Sequence, residues 1–170
     1  MIGPIQPTKI PKKLIYRLPN SNRFRMVDTK TGRYVGEMNL SKRENEMFID
    51  WLNIMPNEKR KGNGTIFLNF AKNISKQMGF NGRLRLMASV LPFDPHNPPH
   101  IFYRKYGFTS DDKKVIKKID KAILKNRQLS IFEVPPTYMY YNPNPQVQVK
   151  VSPFKTIFKS LSKLHFLKKV

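Results

Sequence analysis

Leu52-Asn53-Ile54-Met55-Pro56-Asn57-Glu58-Lys59-Arg60-Lys61-Gly62-Asn63-Gly64 is the stretch whose reading decides the fold. An apolar strand leaves through a proline, crosses a basic loop and meets two glycines before a helix that opens at Thr65. Gly62 and Gly64 carry no Cβ, so the backbone there turns sharply and approaches a ligand closely. The first amides of the following helix lack internal partners and, with the helix dipole, favour an anion. Lys59, Arg60 and Lys61 add positive charge at the same place. The expected ligand surface is a phosphate cradle of Lys59, Arg60, Lys61, Gly62, Asn63, Gly64 and Thr65, its alternative an ordinary helix-entry turn.

Working outward, Met47 to Met55 reads as the best strand, with Phe48, Asp50, Leu52 and Ile54 expected on one face. Upstream, Leu14–Arg17 reads as an edge strand, and Phe24–Asp28 and Arg33–Asn39 as a hairpin turning at Thr29–Gly32. Downstream, Ile66, Phe67, Phe70, Ala71, Ile74 and Met78 fall at helical spacing, with Gly79 as the stop. Arg83–Val90 is a strand, Leu91–Pro99 a proline-rich loop and Ile101–Tyr106 a short helix stopped by Gly107. Ser110-Asp111-Asp112 caps a lysine-rich helix to about Arg127, striped by Val115, Ile116, Ile119, Ala122 and Ile123. Ile131–Val134 and Thr137–Tyr141 read as late strands split by Pro135-Pro136. Phe154, Ile157, Phe158, Leu161 and Leu164 stripe a terminal basic amphipathic helix.

About forty residues after the loop lies Ile101-Phe102-Tyr103-Arg104-Lys105-Tyr106-Gly107-Phe108. The two motifs together resemble the Gcn5-related N-acetyltransferase (GNAT) superfamily. Its pyrophosphate loop reads Gln/Arg-x-x-Gly-x-Gly/Ala after an apolar-x-Pro strand exit, and its later helix ends Tyr-x-Lys-x-Gly-Phe. Lys59 stands at the usual Gln/Arg position, a departure that keeps the charge and loses the planar fork. The resemblance covers roughly residues 23 to 108. It implies an α/β fold, α+β by segregation: a mixed, mainly antiparallel, twisted sheet flanked by helices. The expected domain is 1–141, followed by a linker and helix over 142–170.

The resemblance also implies the chemistry. Acetyl-CoA would lie on the loop, with the backbone near Ile54 holding the pantetheine arm and the thioester carbonyl. A primary amine would attack directly, with no covalent enzyme intermediate. Tyr103 matches the tyrosine that protonates the leaving thiolate; its alternative is an aromatic packed beside Phe102 and Phe108. Asp50 is the candidate base, drawing protons through water, with Glu46, His96 and His100 behind it. Asn97 lies near the place of a cofactor-contacting asparagine, one residue short in its spacing to Tyr103.

Composition bounds the rest. The chain has 170 residues, no cysteine and three histidines, so disulfides and a cysteine nucleophile are excluded and no metal site is expected. No apolar run reaches membrane-spanning length and the N-terminus lacks a secretory apolar block, so the expectation is cytoplasmic. A formal charge of +21 draws in polyanions and repels cations. Polyamines and aminoglycosides are therefore disfavoured acceptors. Acidic proteins, or aminoacyl groups on transfer RNA in a toxin-like role, fit better. Nucleic acid would dock on Lys113, Lys114, Lys117, Lys118, Lys121 and Lys125, unless those lysines are a solvated face. The terminal helix is expected to dock on the domain or a partner rather than on a membrane surface. The rival reading is a non-catalytic GNAT-fold module that binds nucleic acid or an anionic membrane. Oligomeric state, acyl length and acceptor identity are not legible.

Overall fold

In a computed structural model, residues 12–89, 98–130 and 132–143 are described. Six strands run β1 (Lys13–Arg17), β2 (Arg23–Asp28), β3 (Tyr34–Lys42), β4 (Met47–Ile54), β5 (Leu84–Ala88) and β6 (Thr137–Tyr141). Three helices, α1 (Asn63–Gln77), α2 (His100–Tyr106) and α3 (Lys113–Leu124), fall between β4 and β6. The sheet keeps sequence order, and every neighbouring pair is antiparallel except β4 and β5. The parallel pair is joined through α1, because parallel strands need a crossover rather than a hairpin. This is the mixed, mainly antiparallel α+β sheet expected from the sequence.

One face of the sheet carries Met26, Met38, Leu40, Met47, Ile49, Leu84, Leu86 and Met139, all buried under the helices. From α1 come Phe67, Leu68 and Ala71, and each large apolar side chain so buried contributes roughly 1.5–3 kcal/mol. The expected stripe is rotated slightly. Leu68 belongs to it, while Ile66 and Met78 stay exposed. Ser75 takes a buried position because its hydroxyl donates to the Arg83 carbonyl at 2.7 Å.

β4 holds a bulge. Asn39 pairs with Trp51 and Leu40 with Ile49, so Asp50 is the extra residue. The expected face is corrected accordingly. Leu52 and Ile54 lie with Met47 and Ile49 on the core side, while Phe48, Asp50 and Trp51 turn to the other side. Trp51 is 39 % exposed there, on the face away from α1. It shares its open face with Leu14 and Tyr16 on β1, Tyr34, Met87 and Tyr138, each more than a third exposed.

The late strand expected over Ile131–Val134 is not formed by its described residues. Phe132–Val134 make a turn in which Glu133 accepts from Arg127 at 2.7 and 3.0 Å and from the Ser130 amide at 2.8 Å. Those bonds hold the Glu133 carboxyl down at about 2. Asp112 caps α3, its Oδ1 accepting from the Lys114 and Val115 amides at 2.9 and 3.0 Å. The helix stops at Leu124, one turn short of the expected end. His96, Asn97 and the terminal helix lie outside the described residues.

Candidate functional site

The site begins where β4 loses its neighbour. β4 pairs with β5 only from Met47 to Ile49, opposite Leu84 to Leu86. β4 then continues to Ile54 and β5 to Ala88 without a ladder between them. The β5-facing backbone of 50–54 therefore has no strand partner, although β3 still pairs with it on the other side. An extended ligand with amide groups fits such an edge by adding hydrogen bonds to it.

β4 leads into the basic loop through a 3-10 turn, Pro56–Glu58. Arg60 and Gly62 are both left-handed, with φ of 60° and 80°. Gly62 is the N-cap of α1, and no side chain caps the helix. The first helical bond runs from the Ile66 amide to the Gly62 carbonyl at 3.1 Å, which leaves the amides of Asn63, Gly64 and Thr65 without helical acceptors. The positive φ explains Gly62, since a Cβ there would meet nothing within 4 Å. Gly64 has a different reason. A Cβ there would fall 2.8 Å from Cζ of Phe102, so this glycine lets α1 and α2 approach.

Two loop residues differ from their expected roles. The Asn63 side chain, 2 % exposed, does not face outward; its Nδ2 donates to the Glu58 carbonyl at 2.9 Å and the Glu58 carboxylate at 3.2 Å. Lys61 donates to Glu58 at 3.2 Å, and Lys13 sits 3.6 Å from the same carboxylate. The Lys61 hydrogen bond holds the Glu58 carboxyl below its usual range. Glu58 was not singled out by the sequence reading, yet it organises the loop. Its signal was a lone acid preceding three cations. Lys59, Arg60 and Thr65 are exposed at the mouth of the loop, and Ile54 is half-buried at the strand end.

Tyr103 is 8 % exposed in α2, with its ring 5.2 Å from Phe102 and 5.6 Å from Phe108. Burial pushes its phenol well above the ordinary value, so the hydroxyl keeps its proton throughout the neutral range. α2 is fastened from three directions. Arg104 forms a fork on Asp120 of α3 at 2.7 and 3.0 Å. Tyr106 donates to Asn69 of α1 at 2.8 Å. His100, fully buried, bonds through Nε2 to the Pro135 carbonyl at 3.2 Å. Gly107 then ends the helix in a left-handed conformation.

His100 is therefore an anchor, not an exposed base. Burial lowers its pKa and keeps it neutral, and Nδ1 has no partner. Asp50 is exposed on the open face, accepting from Ser41 at 3.0 Å with Arg43 at 3.9 Å. Glu46 is paired with Arg85 at 3.2 Å. Among the described residues no group of acids and histidines is arranged to hold a metal.

The splayed parallel pair, the strand-to-helix loop and the short helix carrying Tyr103 form the mixed sheet and helix arrangement expected from the sequence. No family model matches the sequence, and no curated protein matches it. Among solved structures the chain is similar to nourseothricin acetyltransferase, with 19% identity over 72% of this chain and 65% of that one and a TM-score of 0.47. It is also similar to the PaiA N-acetyltransferase of Thermoplasma acidophilum in complex with coenzyme A, with 17% identity, 71% and 59% coverage and a TM-score of 0.48. A third is a putative streptothricin acetyltransferase from Bacillus anthracis in complex with acetyl coenzyme A, with 17% identity, 74% and 65% coverage and a TM-score of 0.48. This chain thus spans a little under two thirds of the length of each.

His100 supplies a pH test. Its folded pKa is depressed below the 6.5 of an unperturbed imidazole, so the unfolded chain binds a proton first as pH falls. The contribution is present above 6.5 and is lost progressively below it. Urea unfolding at pH 7.5 and 5.5 should show wild-type stability falling, and His100→Gln should show a smaller fall. Equal falls in both proteins would remove His100 as the titrating anchor.

Proposed function

We propose that this protein transfers an acetyl group from acetyl-CoA to a primary amine on an acidic macromolecule. One observation carries the reading: the strand that loses its parallel neighbour after Ile49 runs directly into an uncapped helix N-terminus. An unpaired strand edge beside a free set of amides suits a ligand that is amide-rich at one end and a pyrophosphate at the other. Asn63, Gly64 and Thr65 would hold the phosphates through their amides, with Lys59 and Arg60 adding charge. Residues 50–54 would pair with the pantetheine arm, and Ile54 would lie beside the thioester carbonyl.

Bound acetyl-CoA supplies an activated acyl group. The chain's own task is then to place an amine and manage two protons. Tyr103, its proton held by burial, serves as a hydrogen-bond donor to charge developing on sulfur. Asp50 would take the amine's proton through water from the open side of the sheet. Since Tyr103 keeps its proton throughout the neutral range, its hydroxyl adds no step to the pH-rate profile there, which should follow the amine. Asn97 would be a further cofactor contact.

Gly62→Asp places a carboxylate and a strained φ at the mouth of the amides. Calorimetry should show micromolar acetyl-CoA binding, a common small-ligand range of about −8 kcal/mol, abolished in this variant. Wild-type protein giving no heat with acetyl-CoA would refute the enzyme reading.

Tyr103→Phe removes one hydroxyl and keeps the ring packed. Turnover should fall by roughly 10²-fold, with acetyl-CoA affinity little changed. Unchanged turnover would leave Tyr103 as a core aromatic only.

For the partner, α3 exposes Lys113, Lys114, Lys117, Lys118, Lys121 and Lys125 on one side. Its one acid, Asp120, is already engaged by Arg104. Such an array fits an acidic protein or transfer RNA. Binding of RNA should weaken with salt, with a log–log slope of about −0.7 to −0.9 per phosphate contacted. Changing Lys114, Lys117, Lys118 and Lys121 to glutamine should flatten that slope and leave acetyl-CoA binding intact. Equal, weak binding by both proteins in filter assays would make these lysines a solvated face.

A further inference from the structure

We infer that the open face of the sheet is the docking surface for residues 144–170 of this chain, whose apolar stripe from Phe154 to Leu164 would seat across β3 to β6. The inference touches the chemistry proposed above at one point, Asp50, which stands on this face between Phe48 and Trp51, so a docked segment would limit the access of water and amine there. A sheet is stable when both apolar faces are covered, and large exposed apolar patches mark contact sites. Among the described residues the helices cover one face only, and of the ten large apolar side chains these leave exposed, six stand on the other face: Leu14, Tyr16, Tyr34, Trp51, Met87 and Tyr138. Beside them Phe48, Arg85 and Tyr138 line an open groove with the loop 42–46.

Three features select the occupant. The first is pattern. Phe154, Ile157, Phe158, Leu161 and Leu164 fall on one helical side, and Pro153 stands where a helix opens. From Phe154 to Leu164 such a helix spans about 16 Å, close to the width of four strands about 4.8 Å apart. The second is position. β6 is an edge strand that ends at Tyr141, and Tyr141 pairs with Leu84, which pairs with Met47. The chain therefore leaves the sheet at the end where the groove lies. The third is charge. Residues 144–170 hold six lysines and no acid. The α3 surface repels them. The open face repels them less, because three of its arginines face an acid: Arg25 with Glu37 at 3.8 Å, Arg43 with Asp50 at 3.9 Å and Arg85 with Glu46 at 3.2 Å, while Arg23 stands on the same face opposite Asn39. The lysines of the segment would project outward while its apolar side meets Tyr138, Met87, Phe48 and Trp51.

Trp51 is the only tryptophan and reports on the face directly. In the full chain, Trp51 emission should be shielded from acrylamide. The full-length double variant Phe158→Ser/Leu161→Ser should shift emission to longer wavelength and raise quenching severalfold. Equal quenching in both proteins overturns the inference. So does shielding that grows with protein concentration, which would assign the face to a second copy. Because the chain has no cysteine, a second measurement uses full-length Glu44→Cys/Ser160→Cys carrying spin labels. A narrow distance distribution is expected, and a broad one overturns the docking even if the serine variant fails to fold.

Discussion

The end of the β4–β5 ladder after Ile49 and Leu86 is the constraint from which the site follows. Had pairing continued, the backbone of 50–54 would be spent on β5 and no extended ligand would fit beside it. The bulge at Asp50 falls at the residue where that ladder ends. An extra residue bends its strand and increases local twist. β4 consequently stays with β3 as far as Ile54 opposite Gly36 while parting from β5. The same bulge turns Leu52 and Ile54 toward the core and sends Trp51 outward. One inserted residue thus shapes the cleft, the core beneath it and the exposed face above it.

Much of this was legible in the sequence because it is local. Gly62 after a basic loop, Gly107 after a short helix, and Asp112 before a lysine-rich one each do what their position announces. Six strands and three helices appear within a few residues of expectation. What failed to show is what depends on register or on partners distant in sequence. Alternation across β4 assumed a regular ladder, so Asp50 was placed on the wrong face. The reading of Gly64 as a ligand approach missed Phe102, which arrives from 38 positions away in the chain. Asn63 was read as facing a ligand, but its side chain folds back on Glu58. Phe132 to Val134 had the apolar content of a strand, yet the Arg127–Glu133 pair closes them into a turn.

Carboxylates explain how a chain with such surplus charge keeps a defined site. Among the described residues, seven acidic side chains are ion-paired: Asp28, Glu37, Glu46, Asp50, Glu58, Asp120 and Glu133. Most of these join segments that are not neighbours in sequence. Asp28 and Glu58 both meet Lys13, tying β1 to the loop; Asp120 ties α3 to the helix bearing Tyr103. Surface pairs of this kind add little stability singly, so their value here is placement.

Part of the surplus lies on α3, which exposes Lys113, Lys114, Lys117, Lys118 and Lys121, and the sequence of residues 144–170 adds six lysines and no acid. In the function proposed above, a polyanion would meet α3, and a small polycation would be turned away there. The open sheet face, apolar and nearly balanced, attracts neither by charge alone. In the docking inferred above, apolar complementarity would select its occupant, and the apolar stripe at 154–164 is what distinguishes that segment from the rest of the basic chain.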